Sequence, residues 1–220
     1  MPNLSIRAVL WDFGGVITES PFEAFRRFEA AHGLPRDFIR TVNTINPDAN
    51  AWARFERSEL SLDAFDRAFE AESRAAGHAV RGADIAPLLY GAVRPSMVAA
   101  LKRCKQHFKN ACLTNNVITK ASHGLPTTDE RAAEVIRVLA LFDEVVESSK
   151  IGVRKPEPRF YEIALQRLGI QAEEAVFLDD LGINLKPARA MGMATIKVID
   201  PDAALQELAT LLRIPLRTLA

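Results

Sequence analysis

The sequence has few of the features that mark chains of specialised composition. Its 220 residues include two cysteines, Cys104 and Cys112, and neither belongs to a Cys-x-x-Cys or Cys/His pattern typical of zinc sites. We therefore predict that both are reduced and pack in the interior. The 28 basic and 28 acidic residues cancel and form no long run of one sign. This balance argues against binding to nucleic acid or a membrane surface and favours a small ligand.

Long apolar segments are also missing from the sequence. The apolar stretch near the N-terminus is broken by Arg7 and followed at once by Asp12, so it is too short for a signal peptide or a membrane span. We therefore expect a cytoplasmic protein. Hydrophobic residues still make up 48% of the chain, which is enough for a sizeable core. The sequence does not specify an oligomeric state.

The apolar pattern divides the chain into two kinds of structure. Residues 6–10 form a short apolar run that predicts a buried strand ending at Asp12. Helical periodicity then follows, with aromatic stripes that we assign to a core: Phe22, Phe25 and Phe28, and later Leu62, Phe65 and Phe69 behind a capping Ser61. From residue 95 onward, apolar strands alternate with helices, which predicts an α/β fold with a parallel sheet. We predict a core domain of residues 1–15 and 95–220, with residues 16–94 inserted after the first strand as a helical cap.

Three predicted strands end in side chains suited to metal or phosphate chemistry. These are Asp12, the pair Thr114 and Asn115, and the pair Asp179 and Asp180. The carboxyl ends of parallel strands meet at one edge of a sheet, so the groups are expected to converge there, with Lys155 nearby. Mg²⁺ prefers oxygen ligands and commonly takes one or two carboxylates. A carboxylate can also attack phosphorus while a metal and a lysine offset the charge of the transferring group.

Four short segments resemble, in order, the sequence motifs of the haloacid dehalogenase superfamily. They are Asp12-Phe13-Gly14-Gly15-Val16, Leu113-Thr114-Asn115, Lys155-Pro156 and Phe177-Leu178-Asp179-Asp180. Residues 152–158 and 178–189 look especially like the N-terminal phosphatase domain of soluble epoxide hydrolases, and related domains occur in acyl-CoA dehydrogenase family members. The resemblance spans nearly the whole chain. It implies a Rossmann-like core, a helical cap, Mg²⁺ and hydrolysis of a small phosphorylated metabolite through an aspartyl-phosphate.

The resemblance also implies a role for each matching residue. Asp12 would be the nucleophile and a metal ligand, and Asp179 would complete the metal site with support from Asp180. Lys155 would steady the charge of the phosphoryl group. Two further expectations concern Thr114, Asn115 and Asn184. Thr114, assisted by Asn115, would bind the phosphoryl group, and Asn184 would serve as a structural hydrogen-bonding residue in the turn after the last motif.

Gly14 departs from the pattern of typical phosphatases in this superfamily. They carry a second Asp at this position, which protonates the leaving oxygen and then activates water. General acid–base catalysis contributes about 10²–10⁴-fold to the rate, so its loss would raise the barrier by roughly 3–5 kcal/mol. The position ligates Mg²⁺ through its backbone carbonyl, which Gly14 retains, so the metal site itself need not suffer. Phosphates with good leaving groups would need no acid, and Glu19, Lys120 or His123 are alternative proton donors.

Two other interpretations remain open at the level of sequence, and a third fails unless a lysine of the core domain enters the site. A degenerate domain would bind a phosphate metabolite or a protein partner without turnover. A dehalogenase would need the Asp nucleophile without an acid, although the Asp179–Asp180 pair would repel a carboxylate substrate. A phosphonate-cleaving enzyme would need a lysine in its cap, and the chain has no lysine before Lys102. Substrate identity resides in the cap and in the loop at residues 121–129, and the sequence does not reveal it.

Overall fold

The computed structural model describes residues 6–89, 91–115 and 129–216, and these contain a five-stranded parallel sheet. The strands are β1 (Ala8–Trp11), β2 (Lys109–Thr114), β3 (Glu144–Glu147), β4 (Ala175–Asp179) and β5 (Ala194–Lys197), in the order β3-β2-β1-β4-β5. Every neighbouring pair is parallel. The α/β prediction is confirmed, with β1 at the centre of a Rossmann-like sheet.

Strand β1 begins two residues later than the predicted run and extends one residue further, to Trp11. The Trp11 side chain is buried, and its Nε1 donates a hydrogen bond to Oδ1 of the buried Asn110 at 2.9 Å. This hydrogen bond allows an amphipathic residue to continue an otherwise apolar strand. Trp11 pairs with Leu178 on one side and with Cys112 on the other, so Asp12 leaves the sheet beside Asp179.

Helices occupy most of the described chain between β1 and β2. They are α1 (Pro21–Ala31), α2 (Phe38–Thr44), α3 (Ala51–Glu56), α4 (Leu62–Ala75) and α5 (Gly82–Ile85), followed by a 3-10 turn at Ala86–Leu89. The predicted aromatic residues pack in a hydrophobic cluster of their own, in which Phe55 and Phe65 stack with centroids 4.2 Å apart. Ser61 caps α4 as predicted, because its Oγ accepts a hydrogen bond from the Ala64 amide. The division into cap and core domains stays a prediction.

The remaining helices cover both faces of the sheet. They are α6 (Pro95–Cys104), α7 (Asp129–Leu139), α8 (Ser148–Ile151), α9 (Pro158–Leu168), α10 (Gly182–Ala190) and α11 (Pro201–Leu212). Val9 and Trp11 pack in the hydrophobic cluster that includes residues of α6 and α11, whereas Ala8 and Leu10 pack in the cluster that includes α9 and α10. Side chains therefore alternate between faces that are both buried, which explains the continuous apolar pattern of the strands.

Two further expectations can be compared with this fold. Cys104 and Cys112 are buried and free, as predicted for packing residues. No helix among the described residues is long and apolar enough to cross a bilayer.

Candidate active site

Asp12 lies where the chain leaves the central strand. Its backbone is extended (φ −65°, ψ 157°), and its carboxylate accepts a hydrogen bond from the Phe13 amide at 2.7 Å. This hydrogen bond orients the side chain at the entrance of an irregular turn, Phe13–Ile17. Asp12 is only 7% exposed. Its carboxylate is therefore held at the edge of the sheet in a largely dehydrated position.

Lys155 joins the carboxylates of two neighbouring strands. Its Nζ lies 2.7 Å from Asp12 Oδ1 and 2.8 Å from Asp179 Oδ2, and its side chain is 1% exposed. Burial disfavours the charged lysine, but Asp12 and Asp179 outweigh that effect and raise its pKa. Lys155 is therefore a fixed cation at the carboxyl ends of β1 and β4.

Asp179 is the most constrained carboxylate of the site. It is fully buried, and it accepts hydrogen bonds from the Leu181 amide at 2.8 Å and from Asn184 Nδ2 at 3.1 and 3.0 Å to its two oxygens. The Asn184 carbonyl in turn accepts a hydrogen bond from the buried Tyr161 hydroxyl at 2.7 Å. The expected hydrogen-bonding role of Asn184 thus has a structural basis, since Asn184 fixes the orientation of Asp179.

Three carboxylates converge at this edge. One oxygen from each of Asp12, Asp179 and Asp180 can be chosen so that all three lie within 4.8 Å of one another. Burial, together with the negative charges of Asp179 and Asp180, raises the pKa of Asp12 well above its ordinary value, although Lys155 opposes the change. Burial and Asp179 raise the pKa of Asp180 to about 6. A single lysine leaves this group with excess negative charge, and a hard divalent cation fits such a set of oxygen donors.

The two glycines after Asp12 differ in their surroundings. Gly14 has an ordinary backbone (φ −73°, ψ 123°), and a Cβ added there would meet no atom of the described residues within 4 Å. Gly15 has a φ of 85°, and a Cβ there would lie 2.4 Å from Asp180 Oδ2. Gly15 is therefore required by both its backbone and the approach of Asp180, whereas neither consideration requires glycine at position 14.

The second predicted motif lies on the neighbouring strand. Thr114 is the last residue of β2 and is 9% exposed. The Asn115 side chain is paired with the main chain of Lys155: its Oδ1 accepts from the Lys155 amide, and its Nδ2 donates to the Lys155 carbonyl, both at 2.9 Å. The described hydrogen bonds of the Asn115 side chain are thus with the Lys155 main chain and, through Nδ2 at 3.3 Å, with Glu56 Oε2. The assignment of Thr114 and Asn115 to phosphoryl binding stays a prediction.

The sequence profile of haloacid dehalogenase-like hydrolases matches residues 6–192, which includes every element that builds this site. The chain belongs to the haloacid dehalogenase-like hydrolase family. The resemblance derived from the four motifs is therefore confirmed, and the protein is a member of a hydrolase family.

Several curated proteins are similar to nearly the whole chain. Mouse acyl-CoA dehydrogenase family member 10 is 34% identical over 96% of this chain and 20% of the relative. Mouse bifunctional epoxide hydrolase 2 is 31% identical over 93% of this chain and 38% of the relative. The chain thus spans well under half of these two proteins. A sesquiterpene phosphatase from Aspergillus oryzae is 28% identical over 94% of this chain and 97% of its own length.

Solved structures of the haloacid dehalogenase-like family share the fold. A predicted family hydrolase from Porphyromonas gingivalis has a TM-score of 0.65 at 21% identity, with 96% of this chain and 99% of that chain covered. A family enzyme from Bacteroides thetaiotaomicron, determined with magnesium and inorganic phosphate, has a TM-score of 0.58 at 19% identity, with 88% and 94% covered. Magnesium is therefore present in a structural neighbour of this chain.

Two residues of this haloacid dehalogenase-like site escaped the sequence interpretation. Ser20, which precedes α1, donates a hydrogen bond from its Oγ to Asp180 Oδ2 at 3.3 Å. Glu56, at the end of α3, accepts a hydrogen bond from Asn115 Nδ2 at 3.3 Å. Neither lies in a family motif, and their proximity depends on how the helices pack against the sheet.

The alternative proton donors are only partly covered by the structure. Glu19 is exposed, and its backbone amide donates to the Ala92 carbonyl at 2.8 Å. Lys120, His123 and residues 121–128 of the expected substrate loop lie outside the described residues.

Proposed function

We propose that this chain is a Mg²⁺-dependent phosphatase that hydrolyses a small phosphorylated metabolite through an aspartyl-phosphate on Asp12. The observation that carries this proposal is the pairing of Asp12 with Lys155 inside a group of three converging carboxylates. This arrangement at the carboxyl ends of two adjacent strands supports Asp12 as the nucleophile, Lys155 as a fixed cation and the carboxylates as oxygen donors for a metal. The expected cytoplasmic location also stays a prediction.

The chemistry assigns one task to each group. A carboxylate oxygen of Asp12 forms a bond to phosphorus, and the bond between phosphorus and the leaving oxygen breaks, with its electron pair going to that oxygen. Water then attacks the phosphorus of the aspartyl-phosphate, which releases inorganic phosphate and restores the Asp12 carboxylate. Lys155 balances the charge of the transferring group, and the Thr114 hydroxyl donates to one of its oxygens.

The proposal also includes a metal ion. Asp12, Asp179, Asp180 and the Gly14 carbonyl would hold Mg²⁺, which supplies positive charge to the phosphoryl oxygens. The excess negative charge of the three carboxylates supports this assignment, as does the magnesium and inorganic phosphate in the Bacteroides thetaiotaomicron structure. The name of the Aspergillus oryzae relative supports phosphatase chemistry without identifying the substrate of this chain.

Gly14 determines which phosphates suit the site. Because no side chain at this position can protonate the leaving oxygen, the enzyme should favour substrates whose leaving groups are stable as anions, such as acyl or anomeric phosphates. We therefore expect slow turnover of alkyl phosphates.

A phosphate-release screen with Mg²⁺ tests the proposal. It should include acyl, aryl, sugar, nucleotide and lipid phosphates, a haloacid as a control for dehalogenation, and the Asp12→Asn variant as a control for contamination. We expect phosphate release that is fastest with acyl or aryl phosphates and is lost with a chelator. Halide release without phosphate release would contradict the proposal. We do not expect that outcome, because the excess of carboxylates in the site disfavours a haloacid, which is itself a carboxylate.

Gly14 also favours a second candidate function, a module that binds a phosphate compound without turnover. Such a module keeps the other motif residues but lacks the acid. It would therefore bind Mg²⁺ and inorganic phosphate but release no phosphate from any ester. Calorimetry with Mg²⁺ and inorganic phosphate, run beside the screen, separates the two candidates.

A further inference from the structure

Glu56 connects the helical region of residues 16–94 with the catalytic edge of the sheet. Its Oε2 accepts a hydrogen bond from Arg154 Nε at 2.6 Å, and its backbone carbonyl accepts one from the Ser148 hydroxyl at 2.7 Å. The side chains of Glu56 and Arg154 are only 13% and 15% exposed. Because little water screens this ion pair, it restrains both residues more strongly than a surface pair would.

Asn115 links Glu56 to the lysine of the site. Its Nδ2 lies 3.3 Å from Glu56 Oε2, and the same amide group pairs with both the N–H and the C=O of Lys155. These partners determine the orientation of the amide, since a reversed amide would place its NH₂ group against the Lys155 N–H. Glu56 thus restrains the Lys155 segment in two ways. One is through Arg154, which directly precedes Lys155 in the chain, and the other is through Asn115.

Glu56 itself is unsuited to proton transfer. Its Oε1 accepts from Trp52 Nε1 at 3.1 Å, while its Oε2 accepts from Arg154 and Asn115, so both oxygens are surrounded by donors. The described contacts leave Glu56 separated from Asp12 by Lys155. Among the described contacts, the route from Glu56 to Asp12 runs through Asn115 and Lys155.

We propose that Glu56 is a positioning residue that fixes the Lys155 main chain from the helical region. The contact of Lys155 with the transferring phosphoryl group then depends on that region being docked against the sheet. A lysine side chain has several rotatable bonds, so its ammonium group stays between Asp12 and Asp179 only when its backbone is anchored. The inference rests on the proposed phosphatase function and assigns to that function a residue outside the four motifs.

Glu56→Gln tests the proposal with little change in side-chain shape. All the described partners of the carboxylate are donors, so the NH₂ group of glutamine must face at least one of them. We expect kcat to fall about 10- to 100-fold, with KM within about 3-fold of the wild-type value. In the metal-free protein, hydrogen exchange of the Lys155 amide should become faster while the amides of β1 and β4 keep their protection.

Two further variants provide controls. Glu59→Gln removes the same charge from a neighbouring position, but the Glu59 side chain is 45% exposed and pairs with Arg54 and Arg57 within the helical region, so kcat and Lys155 exchange should stay at wild-type values. Arg154→Ala should reproduce the loss of kcat. The Glu56→Gln/Arg154→Ala double variant should be little worse than the worse single variant, because both changes interrupt one network.

The outcomes separate this inference from the proposed function. Wild-type kcat and wild-type Lys155 exchange in a folded Glu56→Gln protein would overturn it. Loss of exchange protection throughout β1 and β4 would also overturn it, because that result indicates general destabilisation. If the wild-type chain releases no phosphate from any substrate, the proposed function fails, and the exchange of the Lys155 amide still decides whether Glu56 positions this segment.

Discussion

Two neighbouring regions differ in how many contacts constrain their side chains. One is the edge formed by the ends of β1 and β4, and the other is the turn that follows β1. At the strand ends, Asp12, Lys155 and Asp179 are buried and joined by ion pairs and hydrogen bonds. In the turn, two residues beyond Asp12, Gly14 has an ordinary backbone and open space beside it. The site thus retains the groups proposed for attack and metal binding, and the position of the missing acid lies where the structure could accommodate a side chain.

The largest expected effect comes from a substitution at the constrained strand ends. Asp12→Asn should reduce phosphate release by about 10⁴-fold or more, because the amide cannot serve as the nucleophile. The fold should persist, since asparagine has nearly the same shape and size as aspartate. Kinetics and circular dichroism check both points. A folded variant with wild-type turnover would locate the activity at another site.

Gly14→Asp tests whether the turn can accept the acid that is missing from this position. The variant should gain hydrolysis of alkyl phosphates by about 10²–10⁴-fold, with little gain on acyl phosphates, because only the former need protonation of the leaving group. The backbone angles of Gly14 suit any residue, and the added Cβ meets nothing within 4 Å in the part of the chain that the structure describes, so thermal melting should be nearly unchanged. Gly14→Asn is the matched control, since it fills the same space without an acid. A folded, Mg²⁺-binding Gly14→Asp protein that is inactive on all phosphates would favour the binding module.

A pair of alanine substitutions compares the two glycines directly. Gly15→Ala should destabilise the protein by about 1–3 kcal/mol, because it places a side chain at a φ of 85° and forces the Asp180 carboxylate to move. Gly14→Ala should be neutral or stabilising by up to about 1 kcal/mol. Urea denaturation measures both. Equal effects of the two substitutions would show that the difference between the glycines is not maintained in solution.

The smallest expected effect concerns pH and the metal. The pKa of Asp180 is raised to about 6 in the fold, so its contribution to metal-free stability is present at low pH and is lost as the pH rises through that value. Mg²⁺ binds the deprotonated carboxylates, so it should raise the melting temperature more at about pH 7.5 than at about pH 5. Asp180→Asn should reduce this difference between the two pH values. An equal shift at both values in the wild-type protein would indicate that these carboxylates do not bind the metal.

The sequence predicted the elements of the sheet well because strand and helix periods are local properties. Strand β3 (Glu144–Glu147) and helix α9 (Pro158–Leu168) belong to the strand–helix alternation predicted from residue 95 onward, and Gly169 ends α9 with a φ of 63°. The strand order could not be predicted, because no local pattern specifies which strands pair. The convergence of Asp12 with Asp179 was predictable, since parallel strands bring their carboxyl ends to one edge.

Parts of the site that depend on tertiary packing were missed. Ser20 and Glu56 are ordinary polar residues in the sequence, and they reach Asp180 and Asn115 only because the helical region packs against the sheet. The contrast between Gly14 and Gly15 was equally hidden, because two adjacent glycines in a sequence do not reveal which of them has a positive φ. Sequence therefore predicted the chemical groups at the strand ends better than the contacts that hold them in place.

The positions of the two tryptophans give the molecule a natural pair of optical probes. Trp11 directly precedes Asp12 in the interior of the sheet, and Trp52 donates its indole N–H to Glu56 and packs edge-on against Phe65. Indole emission responds to the polarity and motion of its surroundings, so one fluorophore reports on the strand end and the other on the helical region. Trp11→Phe and Trp52→Phe would each leave a single fluorescent tryptophan, and the emission of the two variants would then distinguish changes near Asp12 from movement of the helical region.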